Sequence, residues 1–295
     1  MWRGSRTDIG EEMGKNNSAP VLILVKTYPH RSAKYVETVC TAGIRADGTW
    51  VRLFPIPFRI YNDEHKFKKY QWVECSYYKA AHDPRPESQH VDLDLIHTMK
   101  LGDVIPTENQ WNMRREMVLD KVEIFTRLSD LKDLSSSNRG SLAVFRPTSV
   151  KLKVERAIQD DENGKAAPSE VVAMQLDLWQ SNDWMKDFRR VEPVPYNFKY
   201  QIVDADGHRA THKILDWELG ALFFNEKKRL GSEEAAKMSV MHKYGDEFLN
   251  RDKIDLHLYM GTMLKFQQKH MENPWSIIGV APFPVRKASQ LELGL

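Results

Sequence analysis

An α+β fold, β-rich in its N-terminal half and mixed α/β beyond it, is predicted for this 295-residue chain by three observations. Asp-Gly pairs at 47–48 and 206–207 each lie between strand-like runs, the short-range signal for a β-hairpin. Residues 20–27 form a short apolar run of Val, Leu and Ile, as in a central strand. Asp216 and Ser232 stand as N-caps before helical patterns at 216–224 and 232–252, with Glu233 and Glu234 in the first turn of the second. Hydrophobic residues make up 41% of the chain, enough to build a proper core in one large or two ordinary domains.

The elements follow in order. Residues 1–20 are polar, with acidic side chains where a signal peptide needs an apolar segment, so a disordered N-terminus and a cytoplasmic location are expected. No run of about 18 apolar residues marks a membrane helix. After the strand at 20–27, Val39, Thr41 and Ile44 lead into the turn at 46–48, and the chain returns through Trp50 to Phe54. On that return strand Trp50, Arg52 and Phe54 share one face, and Val51 and Leu53 the other. A further strand pattern covers 67–78. Pro84 and Pro86 stiffen residues 83–88 into an extended loop. Residues 111–134 read as helical with a break near 128–129, and 135–141 as a small-polar linker. Strand patterns resume at 141–147 and at 150–154, the latter with alternating Lys.

Residues 159–170 are polar, which places a domain boundary there: an N-terminal domain over 21–158 with a helical insertion, a second α+β domain over 171–285, and a flexible tail over 286–295. Within the second domain come the 198–215 hairpin, the two capped helices, and strands at 256–260 and 275–280. Cys40 and Cys75 both lie in apolar, strand-like settings, which fits reduced buried thiols and gives no zinc site.

The net charge of +2 is unevenly spread. Between residues 26 and 85 there are eleven Lys and Arg against six Asp and Glu, interleaved with aromatic residues. Cation for phosphate and ring for base is the pairing of a single-stranded nucleic-acid groove. The candidate interface is Lys26, Trp50, Arg52, Phe54, Arg59, Lys68, Lys69 and Arg85. A solvated basic face over an ordinary β core has the same composition.

Two short motifs add resemblances. Cys40-x-Ala42-Gly43-Ile44, followed by Asp47-Gly48 and Trp50-Val51-Arg52, resembles the signature of the dual OB-fold domain family of prokaryotes. In that family a Cys-x-Ala-Gly-Ile strand leads to a Trp-Ile-Arg strand; Leu53 stands where it usually has proline. The resemblance covers residues 21–91. It implies two small five-stranded OB-like barrels that bind nucleic acid or nucleotides, often in mobile-element or defence settings; with the basic-aromatic surface, the expectation is a protein that binds single-stranded or distorted nucleic acid in DNA maintenance, mobile-element or phage-defence settings. At the C-terminus Gln290, Leu291, Leu293 and Leu295 resemble the peptide with which bacterial DNA-maintenance proteins dock into the sliding clamp. Such a tail can bury its leucines in a preformed groove.

The alternative is a nuclease or base-excising hydrolase working at the same basic-aromatic surface. Its catalytic candidates are Asp83 and Glu87 in the stiff loop, and Asp216 and Glu218 beside Trp217. A nuclease needs carboxylates converging on a divalent ion such as Mg²⁺, and a base-excising enzyme needs one beside a pocket for a flipped base. Asp216 reads first as a helix cap, and Arg85 with Glu87 as a structural ion pair or loop anchor. Apart from Mg²⁺ under this alternative, no cofactor is expected, since the glycine spacing fits neither a P-loop nor a dinucleotide fold.

Overall fold

A computed structural model describes residues 18–28, 30–31, 37–56, 66–92, 94–157, 192–264 and 273–286. Residues 1–17 of the N-terminus expected to be disordered over 1–20, Arg59, the polar stretch at 159–170 and the clamp-like tail lie outside the described residues.

The apolar run becomes β1 (Val21–Lys26), the middle of an eight-stranded sheet that curls into an OB-like half-barrel. The other strands are β2 (His30–Arg31), β3 (Glu37–Ile44), β4 (Trp50–Ile56), β5 (Gln71–Glu74), β6 (Tyr77–Lys79), β7 (Ser88–Val91) and β8 (Lys100–Val104). They run in the order β6-β7-β4-β3-β1-β5-β8, with β2 paired to β3. The Asp-Gly turn joins β3 to β4 as expected. Gly48 has φ +87, and a Cβ there would sit 2.3 Å from the Lys121 carbonyl oxygen, so both conformation and space require glycine.

Beyond β8 the chain forms α1 (Glu108–Val118), β9 (Ile124–Phe125), α2 (Leu128–Ser136), β10 (Leu142–Phe145), β11 (Ser149–Arg156), β12 (Tyr196–Val203) and β13 (Arg209–Lys213). It continues through α3 (Trp217–Leu230), α4 (Glu233–Met241) with a π-helical extension at His242–Glu247, β14 (Ile254–Thr262) and β15 (Trp275–Pro284). The single break expected near 128–129 is therefore wider: α1 stops at Val118 and a short strand intervenes before α2.

The expected boundary at 158–171 is corrected by strand pairing. β10 pairs with β14, and all eight residues of β11 pair with β12, so residues 142–156 belong to the C-terminal sheets. The polar stretch after residue 158 connects two partners of one hairpin-like pair instead of two domains. Alternation identifies a strand but says nothing about its partner.

Both faces of β1 are buried. Val21 and Ile23 look into the curled sheet with Val51, Leu53, Phe67, Val73 and Tyr77. Leu22, Leu24 and Val25 pack with Tyr259, Ile278, Ala281 and Phe283 of the C-terminal strands. A third core lies between the β11-β12-β13 sheet, α3, α4 and the inner residues of β14 and β15. The half-barrel is thus continuous with the rest of the chain through a packed seam. Among the described residues no helix is long and apolar enough to cross a membrane.

Candidate nucleic-acid interface

The alternation on β4 is as expected, but the face carrying Trp50 and Arg52 meets protein instead of solvent. Arg52 is only 5% exposed, and its guanidinium donates to the Ser141 carbonyl at 3.2 Å and hydroxyl at 3.0 Å. Trp50 packs edge-on against Tyr259 with ring centroids 6.4 Å apart, and Phe54 is half-buried. The expected phosphate-and-stacking surface is corrected accordingly. Trp50 and Arg52 hold the half-barrel to β14 and to Ser141 at the start of β10, because an apolar sheet face next to other apolar strands is more stable covered than wet.

The stiff loop completes this seam. Arg85 is buried and donates through Nε to Asp83 at 2.8 Å and through Nη1 to the Thr262 carbonyl at 2.8 Å. The Ser88 hydroxyl donates to Asp83 at 2.8 Å. Burial alone raises the Asp83 carboxyl, but the Arg85 guanidinium and the Ser88 hydroxyl outweigh it and hold it below its ordinary value. Glu87 accepts the Ser141 amide at 2.6 Å and also the Ser141 hydroxyl. The loop's ion pair is therefore Arg85 with Asp83, while Glu87 holds Ser141, and Arg85 is corrected from a phosphate contact to a seam residue.

Asp216 and Glu218 converge on a cation of the chain itself. Lys69 Nζ lies 3.3 Å from Asp216 Oδ2, 3.1 Å from Glu218 Oε2 and 3.0 Å from the Val280 carbonyl. Asp216 also caps α3 through the Glu218 amide at 3.1 Å and accepts the Val280 amide at 2.8 Å. Although burial opposes its charge, the two carboxylates push the Lys69 ammonium above its ordinary value. Burial pulls the other way on Asp216, raising it against the pull of that ammonium. Lys26 sits nearby, donates to the Phe67 carbonyl at 3.0 Å, and is pulled down to about 8 by burial, against the field of Glu218. Lys26 and Lys69 are thus corrected to seam residues, while Lys68 is exposed as expected. The two carboxylate pairs are not drawn together: one closes on Arg85 and Ser141, the other on Lys69.

Other charge lies on Lys151, Arg209 and Lys213, which are exposed, and on Lys153 and Lys199, which are half-buried beside them. In the sheet β11-β12-β13, Val150, Leu152 and Val154 pair with Ile202, Tyr200 and Phe198 on the face turned to the core. The opposite face carries Ser149, Lys151, Lys153 and Glu155 on β11, Asn197, Lys199, Gln201 and Val203 on β12, and Arg209, Thr211 and Lys213 on β13. Five cations face one carboxylate, Glu155, which pairs with Lys199 at 2.5 Å. Lys153, Lys199 and Lys213 stand in one cross-strand row. Burial of the stem and the neighbouring Lys199 charge lower the Lys213 ammonium below its ordinary value. Alternating Lys at 151 and 153 was visible in the sequence, but the register that adds Lys199 and Lys213 was not.

Asp204, Asp206 and His208 bring possible ligand atoms within 4.8 Å of one another. Asp204 there accepts the Leu128, Asp206 and His208 amides at 3.0, 2.9 and 2.8 Å, which makes it the lock of the second Asp-Gly hairpin. Cys75 is buried, and burial pushes its thiol up to about 12, consistent with an inert reduced side chain.

Residues 122–293 match the family described as Domain of unknown function (DUF8757). The chain belongs to that family. Ahead of the DUF8757 segment, residues 17–120 match a second family, Domain of unknown function (DUF8758), so the division falls at 120–122, just after α1. That agrees with the pairing of β10 and β11 to C-terminal strands. No curated protein matches the sequence. Among solved structures, a replication protein A heterotrimer bound to ssDNA is similar at 13% identity and a TM-score of 0.23, covering 96% of this chain and 70% of that one.

Proposed function

We propose that this DUF8757 protein binds nucleic acid, and that the OB-like half-barrel serves as the structural partner of a cationic sheet in the DUF8757 segment. One observation carries the reading: five cations against one carboxylate on the outer face of β11-β12-β13. Lysines fixed on a sheet cannot move apart as surface lysines on a loop can, and like charges directly opposite across strands are unfavourable. A polyanion that neutralises them releases counter-ions and gains affinity steeply as salt falls. Fluorescence anisotropy with labelled oligonucleotides, titrated from low to high salt, tests this. Affinity that falls linearly on logarithmic axes with added salt supports it, and no retained oligonucleotide at the lowest salt refutes it.

A place in prokaryotic DNA maintenance, mobile elements or phage defence rests on the resemblance at residues 40–52. Docking of Gln290–Leu295 into a sliding clamp rests on the tail motif, and a clamp titration of full-length and tail-deleted protein separates it from nucleic-acid affinity. The hydrolase alternative gains no support from the seam, since Asp83, Glu87, Asp216 and Glu218 are each engaged by the chain's own donors.

A further inference from the structure

We infer that the β11-β12-β13 face docks the sugar-phosphate backbone of a nucleic-acid double helix, without reading bases and without stacking on them; this rests on the nucleic-acid reading above. Three features of the face point there. First, its cations form a lattice. Lys153, Lys199 and Lys213 are set by strands about 4.8 Å apart, and Lys151 and Lys153 lie two residues apart on one strand, roughly 6.6 Å. Such a lattice matches a dense, regular line of negative charge better than the few charges of an acidic peptide, and a duplex carries one charge per about 1.7 Å of its axis.

Second, the face has no ring. Its eleven residues are Ser, Lys, Glu, Asn, Gln, Val, Arg and Thr. Single-strand binders obtain about 1–3 kcal/mol per base from aromatic platforms. The rings expected to serve that purpose lie on β4 instead: Trp50 is set against Tyr259, and Phe54 is half-buried. What the face offers is phosphate contact alone, which suits a partner whose bases are already stacked on one another.

Third, the sheet is too broad to enter a groove. A major groove of about 12 Å admits a helix or a two-stranded ribbon. Three strands already span about 10 Å between their outer backbones before side chains are added. The sheet therefore lies across the phosphates, and Gln201, Thr211 and Asn197 between the cations are placed to donate to phosphate oxygens, contacts that carry no sequence information.

The test uses the full-length protein with short duplex DNA of two unrelated sequences, duplex RNA, the matching single strands and anionic lipid vesicles, all compared at equal phosphate concentration. Expected is tighter binding of duplex than single strand, equal affinity for the two sequences, and a logarithmic salt slope near −4.5 for five contacts at about 0.9 each. The variant K153Q/K199Q/K213Q should lower that slope in magnitude by about 2.7 and weaken duplex binding by up to about 500-fold at 0.1 M salt, counting roughly 8-fold per contact from 1 M. Its thermal melt should stay near wild type, since a like-charge row is removed together with the Lys199–Glu155 pair; a folded variant with unchanged affinity overturns the inference. Tighter binding of single strands, or of vesicles, also overturns it, the former leaving the nucleic-acid reading intact. No nucleic acid bound at any salt overturns both.

Discussion

Replacing Lys69 by methionine tests whether the seam between the half-barrel and the DUF8757 segment is held by its buried ion cluster. The Lys69 side chain is 7% exposed and Asp216 2%. Methionine keeps most of the stem volume and removes the ammonium, leaving the Asp216 carboxylate buried with the Glu218 and Val280 amides as its remaining donors. Coulomb's law for unit charges 3.3 Å apart, with an effective dielectric of 20, gives about 5 kcal/mol. Breaking one member out of a buried pair costs about 3–5 kcal/mol by measurement on comparable pairs. Glu218 adds little to this, being 53% exposed and screened by water. The expected loss is therefore about 3–5 kcal/mol, a large share of the 5–15 kcal/mol typical of a folded domain.

Urea unfolding followed by tryptophan fluorescence measures the loss, and its pH dependence identifies the cause. Without Lys69, burial raises the folded Asp216 carboxyl above its unfolded value near 3.9. The folded state then binds more protons than the unfolded state in that window, so the variant loses stability as pH rises through it. The deficit against wild type should shrink as pH is lowered from 8 toward 4.5. K69M/D216N, which removes the stranded charge, should recover at least about 1 kcal/mol over K69M alone. A K69M cost below about 1 kcal/mol, or a double variant as unstable as the two single losses added, would refute the reasoning.

Other consequences follow from the same geometry. Glu87→Gln keeps an acceptor for Ser141 but loses the charge, so stability should fall by about 1–2 kcal/mol while oligonucleotide affinity is unchanged; lost affinity at unchanged melting temperature would place Glu87 in a site. Lys153→Gln relieves repulsion with Lys199 and should raise stability by about 0.2–1 kcal/mol at low salt, a gain that thermal melts should show vanishing at high salt. Lys26 titrates near 8 when folded and at 10.5 when free, so the unfolded chain binds more protons between those values. Relative to Lys26→Met, wild type should gain about 3 kcal/mol across that window, the raised Cys75 thiol pulling both proteins alike the other way, as read by the difference of their urea midpoints at stepped pH.

How much of this was legible in the sequence depends on whether a residue's role is set by its own strand or by a distant partner. The two Asp-Gly turns, the alternation on β4 and the caps Asp216 and Ser232 are local, and they stand where the sequence puts them. The role of Arg52 is set 89 residues away at Ser141, and that of Lys69 is set 147 residues away at Asp216. A strand such as β4 shows two faces in sequence, one apolar and one mixed with aromatic rings and a guanidinium, and local pattern leaves open whether the mixed face meets water or another sheet. Here β14 and β15 cover it, and the Ser141 carbonyl and hydroxyl that accept from the Arg52 guanidinium offset part of the cost of burying it.

The same logic explains why the cationic surface moved. Basic and aromatic residues cluster over residues 26–85 partly because a seam between two modules needs both: rings for area, and long cations that reach across to carbonyls and carboxylates. A surface meant to meet a solvated polyanion needs neither rings nor buried partners, only cations fixed in register. β11 supplies Lys151 and Lys153 from one part of the chain, and β12 and β13 bring Lys199, Arg209 and Lys213 beside them from another. No window of the sequence contains all five, so local charge density points to the seam, and only cross-strand pairing assembles the exposed face. Density of charge along a chain and density of charge on a surface are separate quantities, and binding of a polyanion depends on the second.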